Sequence, residues 1–190
     1  MNLIMLGPPG AGKGTQSAFL VNKYDYLQLS TGDILREAIS NNTPTGLLVK
    51  DILARGELVN DGMILDIMSE QISLSLAKPG RIFDGFPRTI AQAERLGDLL
   101  KSFDMAIDFI IELSVDQEVL IDRINKRINE SREKRSDDNI QTLKKRIKVY
   151  NEQTMPIIDY YSKKIEVHKI DGMLNIGDIS EIITQIIENK

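Results

Sequence analysis

The first fifteen residues, MNLIMLGPPGAGKGT, constrain the fold of this chain more than any other segment. The apolar run Asn2–Leu6 predicts a buried β-strand, and the glycine-rich turn after it leads into a helix that begins near Lys13. Glycines in this turn let backbone N–H groups surround a polyphosphate, and the helix N-terminus favours an anion. The spacing G-x-x-x-x-G-K therefore predicts a phosphate-binding loop, although Gly14 stands where Ser or Thr is usual. A glycine-rich turn without a ligand is disfavoured, because such dense glycine weakens a loop that need not approach anything closely.

The composition is that of a globular protein with one substantial core. The chain has 190 residues, of which 42% are hydrophobic and 27% charged. No apolar stretch approaches the roughly 20 residues of a membrane span. The absence of cysteine excludes disulfides, thiolate zinc sites and cysteine nucleophiles, and Met1 leads directly into the first strand without room for a signal peptide. These features predict a cytoplasmic protein without a membrane partner.

Charge is distributed unevenly along the chain. The net charge of −4 argues against a nucleic-acid partner, yet residues 123–148 contain ten Lys or Arg and only four Asp or Glu. A basic patch in an acidic protein is the expected focus for a small polyanion. A solvated helix face accounts for some of these residues, such as Lys134, Lys144 and Lys148.

The hydrophobic periodicity alternates between strands and helices. Strands are predicted at residues 2–6, 26–29, 81–83, 106–113 and 165–170. Helices are predicted at 13–23, 61–77, 90–103, 116–127, 139–161 with a break at Pro156, and 175–188. This order predicts an α/β fold with a five-stranded parallel sheet flanked by helices, and a ligand at the carboxyl ends of the strands.

Two inserts interrupt the alternation. Residues 30–59 contain two helical segments and no strand, and residues 128–138 are almost wholly polar. Both lie where a doubly wound fold needs only a connector, and such excursions commonly act as mobile lids over a site. We therefore expect both inserts to be mobile lids over the site.

Several charged residues fit a site that holds more than one phosphate group. Asp84 ends the third predicted strand, where a carboxylate can hold magnesium; beside a phosphate loop we favour this role over that of a turn-forming Asp before Gly85. Arginines, whose guanidinium fork matches phosphate oxygens, fall at helix ends or in loops and inserts at positions 36, 88, 123, 127, 135 and 146. No general base is evident, since the only histidine, His168, lies in a predicted strand. Because a phosphate acceptor is already an anion, it needs no such base.

The motifs together resemble those of the adenylate kinase family. Residues 7–16 resemble the family's phosphate loop, which carries Gly-Thr after the lysine and so accounts for Gly14. Three further motifs match in order: Ser30-Thr31-Gly32-Asp33 with Arg36, Asp84-Gly85-Phe86-Pro87-Arg88-Thr89 with Gln92, and Arg135-x-Asp137-Asp138 with Arg146. The resemblance covers essentially the whole chain. It implies a P-loop NTPase-like fold and reversible transfer of the γ-phosphoryl group from Mg·ATP to AMP, which gives two ADP.

The resemblance also implies domains and site residues. The core would comprise residues 1–29, 60–126 and 138–190, with an AMP-binding insert at 30–59 and a short lid at 127–137. AMP would contact Thr31, Arg36, Glu57, Leu58, Val59, Gly85, Phe86, Arg88, Gln92, Arg135 and Arg146. ATP would contact Gly10, Ala11, Gly12, Lys13, Gly14, Thr15, Arg123, Arg127 and Leu174. Catalysis would rest on Lys13, Asp84, Arg88, Arg123, Arg135 and Arg146. Magnesium would be held by Thr15 and Asp84 through water, and the Gln92 amide, which both donates and accepts, would read adenine.

Two departures from the family pattern modify this interpretation. The lid is about ten residues long and lacks cysteine, so it resembles the family's short-lid form and cannot bind zinc as longer lids do. Lys126 stands where glycine usually precedes the lid arginine, so the hinge beside Arg127 is expected to be stiffer. The resemblance further suggests a monomer.

Alternative functions remain at this stage. Another nucleoside monophosphate kinase, acting on UMP, CMP or GMP, would share nearly all of these motifs, because the choice of base depends on few contacts. A non-catalytic module that senses ATP and AMP by closing its lid is a second alternative. A P-loop GTPase is the most distant one.

Overall fold

The computed structural model describes residues 1–130 and 139–189, and of residues 127–130 it describes the backbone. The strands of this part of the chain are β1 (Asn2–Leu6), β2 (Leu27–Ser30), β3 (Arg81–Asp84), β4 (Phe109–Ser114) and β5 (Val167–Asp171). The helices are α1 (Lys13–Tyr24), α2 (Thr31–Ser40), α3 (Pro44–Ala54), α4 (Asp61–Leu74), α5 (Ile90–Ser102), α6 (Gln117–Glu130), α7 (Ile140–Val149), α8 (Pro156–Ser162) and α9 (Ile176–Glu188). None of the helices so described is long and apolar enough to cross a membrane.

The five strands form one parallel sheet in the order β2-β3-β1-β4-β5. Side chains alternate along the central strand β1, so that Leu3 and Met5 enter one apolar cluster while Ile4 and Leu6 enter another. The first cluster also contains residues of α1, α6, α7 and α9, and the second contains residues of α4, α5 and α8. Helices therefore cover both faces of the sheet, and the predicted α/β class is confirmed.

The register of the sheet decides what lies beside the glycine-rich turn. Met5 of β1 pairs with Asp84 at the end of β3, and Leu6 pairs with Glu112 of β4. Because all these strands run in the same direction, the turn after β1 and the segment after β3 emerge side by side at one edge. Asp84 thus stands next to the glycine-rich turn, as the sequence predicts.

The first insert consists of the helices α2 and α3 packed against each other. Ser30 caps α2 by accepting a hydrogen bond from the N–H of Asp33 at 3.3 Å, and Thr43 caps α3 by accepting one from the N–H of Gly46 at 3.0 Å. Gly46 faces the backbone of α2, where a Cβ atom would lie 2.1 Å from the carbonyl oxygen of Ala38. The two-helix insert without a strand is confirmed, and its role as a separate domain stays a prediction.

The helical stretch predicted at residues 139–161 is interrupted earlier than Pro156 alone would suggest. After α7 the chain forms a π-helical turn over Tyr150–Thr154, in which the N–H of Met155 donates to the carbonyl of Tyr150 at 2.8 Å. Pro156 then begins α8, a position where its missing N–H is harmless. The wider turn redirects the chain, so that Tyr150 and Thr154 both reach the cleft described below.

Candidate nucleotide-binding site

The glycine-rich turn between β1 and α1 has a backbone that only glycine adopts readily. Gly7, Gly10 and Gly12 have φ angles of 141°, 88° and 100°. At Gly7 a Cβ atom would also lie only 2.7 Å from the carbonyl oxygen of Leu113 in the neighbouring strand. The turn is thereby held close against β4, and the N-terminus of α1 opens into the cleft beside it. These features are typical of a turn that binds an anion.

Lys13 lies along this turn. Its Nζ atom donates hydrogen bonds to the carbonyl oxygens of Gly7 at 2.8 Å and Pro8 at 3.0 Å. The ammonium group therefore stands inside the ring of the glycine-rich turn, at the first residue of α1. A polyphosphate bound by the turn would meet a positive charge there in addition to backbone N–H groups.

Asp84 and Thr15 both carry side-chain oxygen atoms and line the cleft beside the turn. Both residues line the cleft, and an ideal Cβ built on Gly14 would lie 3.8 Å from Oδ2 of Asp84, so the carboxylate is close to the start of α1. Gln28 of β2 donates from Nε2 to the same oxygen at 2.9 Å and orients the carboxylate. One carboxylate and one hydroxyl are the hard ligands that suit Mg²⁺, with water and phosphate oxygens completing its shell. The residues present fit a magnesium ion.

Arg123 of α6 connects the turn with a second loop. Its guanidinium donates to the carbonyl of Ala11 at 3.2 Å and to the carbonyl of Gly172 at 2.7 Å. The loop that carries Gly172 and Leu174 thus lies beside the phosphate turn. Leu174 is one of the exposed apolar side chains and lines the cleft, where it can face a flat aromatic base.

On the opposite side of the cleft, the segment after β3 meets the first insert. The hydroxyl of Thr31 donates to the carbonyl of Gly85 at 2.8 Å, and Nε of Arg88 donates to the same oxygen at 2.7 Å. Arg36 forms an ion pair with Asp33. Thr154 donates to the carbonyl of Arg88 at 3.0 Å, so the backbone of this arginine is held from the π-helical turn. The result is a cluster of cations that faces the glycine-rich turn.

Most of the predicted site residues line one cleft of about 720 Å³ or the smaller pocket that adjoins it. These residues are Gly10, Ala11, Gly12, Lys13, Gly14, Thr15, Thr31, Arg36, Glu57, Leu58, Val59, Asp84, Gly85, Arg88, Gln92, Arg123, Arg146 and Leu174. Phe86 lines neither, because its side chain is 1% exposed and packs in the core. Arg135 lies outside the described residues, as does the side chain of Arg127.

Several residues that support the site are not evident from sequence motifs. Gln16, 2% exposed, accepts a hydrogen bond from Ser180 and donates one to the carbonyl of Ile176, which joins α1 to the start of α9. Burial raises the pKa of Tyr150 in the π-helical turn, and the nearby charge of Glu112 raises it further.

Neither His168 nor a group of three metal-ligating side chains contributes to the site in the described residues. His168 lies in β5, 3.6 Å from Glu166 and beside the ring of Phe109, and does not line the cleft. Within residues 1–130 and 139–189, no group of three or more His, Asp or Glu side chains is arranged to hold a metal. The side chains near the glycine-rich turn therefore provide too few oxygen ligands to hold a metal ion without water or phosphate oxygens.

One tetrapeptide bears on the GTPase alternative. Residues 22–25 read NKYD, which has the Asn-Lys-x-Asp spacing that reads guanine in P-loop GTPases. Here it forms the end of α1 and the residue after it. Lys23 pairs with Glu188 at 3.0 Å, and Asp25 pairs with Lys78 at 2.6 Å. None of the four residues lines the cleft, so this tetrapeptide is not a base-binding element.

A glycine-rich turn and a cluster of arginines that line one cleft of a parallel α/β sheet define the class of P-loop nucleotide-binding proteins. The family model of adenylate kinase matches residues 5–166. Over 100% of this chain and 94% of its relative, the sequence is 46% identical to an adenylate kinase of Nitrobacter winogradskyi. It is 43% identical to an adenylate kinase of Azorhizobium caulinodans over 99% of both chains. It is 44% identical to an adenylate kinase of Methylobacterium nodulans over 96% of this chain and 94% of that relative. The chain belongs to the adenylate kinase family, and the predicted nucleoside monophosphate kinase class is confirmed.

Proposed function

We propose that the protein catalyses the reversible transfer of the γ-phosphoryl group from Mg·ATP to AMP, which gives two ADP. One observation carries the proposal: Lys13 and Asp84 line the same cleft as three arginines on the opposite wall, Arg36, Arg88 and Arg146. A phosphate turn alone would suit any ATPase. A second set of phosphate-binding cations in the same cleft supports an acceptor that is itself a phosphate.

The phosphates of ATP would lie in the glycine-rich turn. Backbone N–H groups of residues 10–15 and Nζ of Lys13 would neutralise the donor phosphates, and Arg123 would turn from the carbonyl groups it now contacts toward them. Leu174, on the loop held by Arg123, would lie against the adenine ring. Arg127 and Arg135 of the short lid are proposed to close over this side.

Thr15 and Asp84 would hold magnesium, through water where the span requires it. Magnesium, when bound, neutralises charge on the phosphate oxygens as the phosphoryl group moves. Gln28 keeps the Asp84 carboxylate directed into the cleft through its hydrogen bond at 2.9 Å. The orientation of this carboxylate thus depends on β2 and β3, and Thr15 belongs to the first turn of α1.

The acceptor would be held by the opposite wall. Arg36, Arg88 and Arg146 would bind the AMP phosphate and neutralise the transferred group, since a guanidinium offers paired donors to phosphate oxygens. The base would enter the adjoining pocket lined by Thr31, by residues 57–59 and by Gln92. The AMP phosphate is already an anion, so the transfer requires positioning and charge neutralisation without a general base.

The two inserts would exclude water. Residues 30–59 and 127–137 are proposed to move as separate domains that close only when both nucleotides are bound. Water competes with AMP for an activated γ-phosphoryl group, and closure would remove it. We propose that reopening with product release limits turnover; a chemical step shown to be limiting in single-turnover measurements would contradict this.

An acceptor panel tests the proposal. The purified protein is incubated with Mg·ATP and AMP, GMP, CMP or UMP, and nucleotides are quantified by chromatography. We expect two ADP from AMP and much slower transfer to the other acceptors. Faster transfer to another base would establish a different nucleoside monophosphate kinase, and binding of both nucleotides without ADP would establish a sensing module.

A matched pair of arginine variants tests the cation cluster. Arg88→Ala should lower the rate by at least about 10³-fold, because one such arginine contributes that much in related phosphoryl transfers. Arg95, an exposed residue of α5 outside the cleft, provides the control, and Arg95→Ala should keep normal activity. Near-normal activity of Arg88→Ala would refute the assignment.

The monomeric state and the cytoplasmic location stay predictions. Sedimentation analysis of the purified protein would test the monomeric state.

A further inference from the structure

The carboxylate of Asp61 sits directly behind the Gln92 side chain. Its Oδ1 atom accepts a hydrogen bond from Nε2 of Gln92 at 2.6 Å, and its Oδ2 atom accepts one from the hydroxyl of Thr89 at 3.2 Å. Thr89 in turn accepts from the N–H of Gln92 at 3.1 Å and caps α5. The three residues therefore form a closed ring of hydrogen bonds at the edge of the pocket.

The Gln92 amide is constrained at both ends. The backbone N–H of Arg88 donates to Oε1 at 2.7 Å, and a backbone N–H can only donate. The carboxylate of Asp61 can only accept, so it must face the NH₂ end. Rotating the amide by 180° would set the N–H of Arg88 against NH₂ and the carboxylate of Asp61 against the carbonyl oxygen. Only one orientation of the amide satisfies both neighbours.

Helix capping does not require Asp61. Asn60 is the residue before α4, and its side chain already accepts the hydrogen bond from the N–H of Gly62 at 2.9 Å. The acidic side chain of Asp61 contributes to the helix dipole, a function that any acidic residue in the first turn could provide. The hydrogen bond with Gln92, in contrast, requires a side-chain oxygen at position 61 itself.

We propose that Asp61 is a positioning residue that sets the base preference of the acceptor site by fixing the Gln92 amide. The inference rests on the proposed function, in which Gln92 reads adenine. After its two internal hydrogen bonds, the amide retains one N–H and one acceptor lone pair for a ligand. Adenine offers an amino donor beside the ring-nitrogen acceptor N1, and the same edge of guanine offers a carbonyl acceptor beside the ring donor N1–H. A fixed amide matches the first pattern, and a rotated one would match the second.

Three variants separate this role from a merely structural one. Asp61→Ala removes the acceptor, Asp61→Asn keeps an oxygen that can accept from Gln92, and Asp66→Ala changes an exposed acidic residue of the same helix. Steady-state kinetics give kcat and both KM values with AMP and with GMP. Calorimetry gives the dissociation constants of AMP and GMP independently of turnover, and circular dichroism confirms folding.

We expect Asp61→Ala to raise the KM and Kd for AMP on the order of tenfold, the cost of one lost hydrogen bond. The preference for AMP over GMP should fall by a similar factor, with the KM for ATP unchanged. Asp61→Asn should restore most of the preference, and Asp66→Ala should behave as the wild type.

Three results would overturn the inference: an unchanged AMP preference in Asp61→Ala, a parallel rise in the KM for ATP, or an Asp61→Asn variant as impaired as Asp61→Ala. Failure of the proposed function is recognised separately, because the wild-type protein would then form no ADP from AMP. Calorimetry would still report the base preference in that case.

Discussion

Gly46 offers the sharpest test of how the first insert positions its ligand-binding side chains. A Cβ atom at this position would lie 2.1 Å from the carbonyl oxygen, 2.3 Å from the carbonyl carbon of Ala38 and 2.6 Å from the nitrogen of Ile39. Ordinary contact begins at 3.4 Å, so Gly46→Ala must push α3 away from α2 by more than 1 Å. The obstacle is backbone, which cannot rotate away as a flexible side chain would.

The cost follows from the contacts that separation would break. Overpacking of this kind costs about 1–3 kcal/mol. The carbonyl of Ala38 also accepts hydrogen bonds from the N–H of Thr43 at 3.0 Å and from its hydroxyl at 3.2 Å, and weakening them costs about 1 kcal/mol more. We expect the insert to lose about 2–4 kcal/mol of stability. Thr31 and Arg36 of α2 would shift with it.

The measurement compares the steady-state kinetic constants for AMP with those for ATP. A displacement near 1 Å can cost about 10²-fold, so kcat/KM for AMP should fall by about 10–100-fold in Gly46→Ala while the KM for ATP stays constant. Gly97→Ala in α5 is the matched control, because a Cβ there meets nothing within 4 Å. That variant should gain about 0.5–1 kcal/mol and keep wild-type kinetics. A Gly46→Ala protein with wild-type AMP kinetics and thermal stability would refute the reasoning.

Two further predictions concern a buried arginine away from the cleft and a carboxylate that lines the acceptor pocket. Arg81, 3% exposed, donates to the hydroxyl of Ser75 at 2.7 Å and to its carbonyl at 2.6 Å, so Arg81→Met should lower the free energy of unfolding by about 2–4 kcal/mol in urea. Activity should persist, since Arg81 begins β3 at the sheet edge remote from the cleft, and a wild-type urea midpoint would contradict this. Hydrogen bonds from Lys145 and then Arg55 hold the pKa of Glu57 below its usual value. The resulting stabilisation is present above the usual carboxyl pKa and lost as pH falls through the lowered one. In Lys145→Met an NMR titration should show the pKa of Glu57 rising, and an unchanged titration would count against the pair.

The strand–turn–helix at the N-terminus could be predicted from the sequence because its determinants are local. The apolar run of β1, the glycines with positive φ and the helix beginning at Lys13 are all set by neighbouring residues. The two-helix insert could be predicted for the same reason, since Pro44 and its preceding Thr43 mark a helix start. The position of Asp84 beside the turn could be predicted because the carboxyl ends of parallel strands lie at one edge of the sheet.

Element boundaries were less predictable where distant groups compete for the backbone. The helix predicted to reach residue 77 ends at Leu74. Arg81 holds the carbonyl of Ser75, which follows that helix. The strand predicted from residue 106 begins at Phe109, and the carbonyl of Ala106 accepts from the side chain of Asn2 at 2.7 Å instead. Arg81 lies beyond the end of the helix and Asn2 lies 104 residues before Ala106, so the periodic pattern within either element could not include the partner.

By itself the sequence determined the fold class, the phosphate-binding turn and the set of cations, because each depends on residue type, spacing and short-range backbone preference. Only the tertiary structure decided how those groups are supported. It placed Asp61 behind Gln92, 31 residues away, and Gln16 against Ser180, 164 residues away. Such pairs form when packed helices and strands bring distant side chains within 3 Å, and no local pattern encodes that distance. The glycine-rich turn predicts a phosphate site, and the long-range hydrogen bond between Asp61 and Gln92 is the one on which the proposed base preference rests.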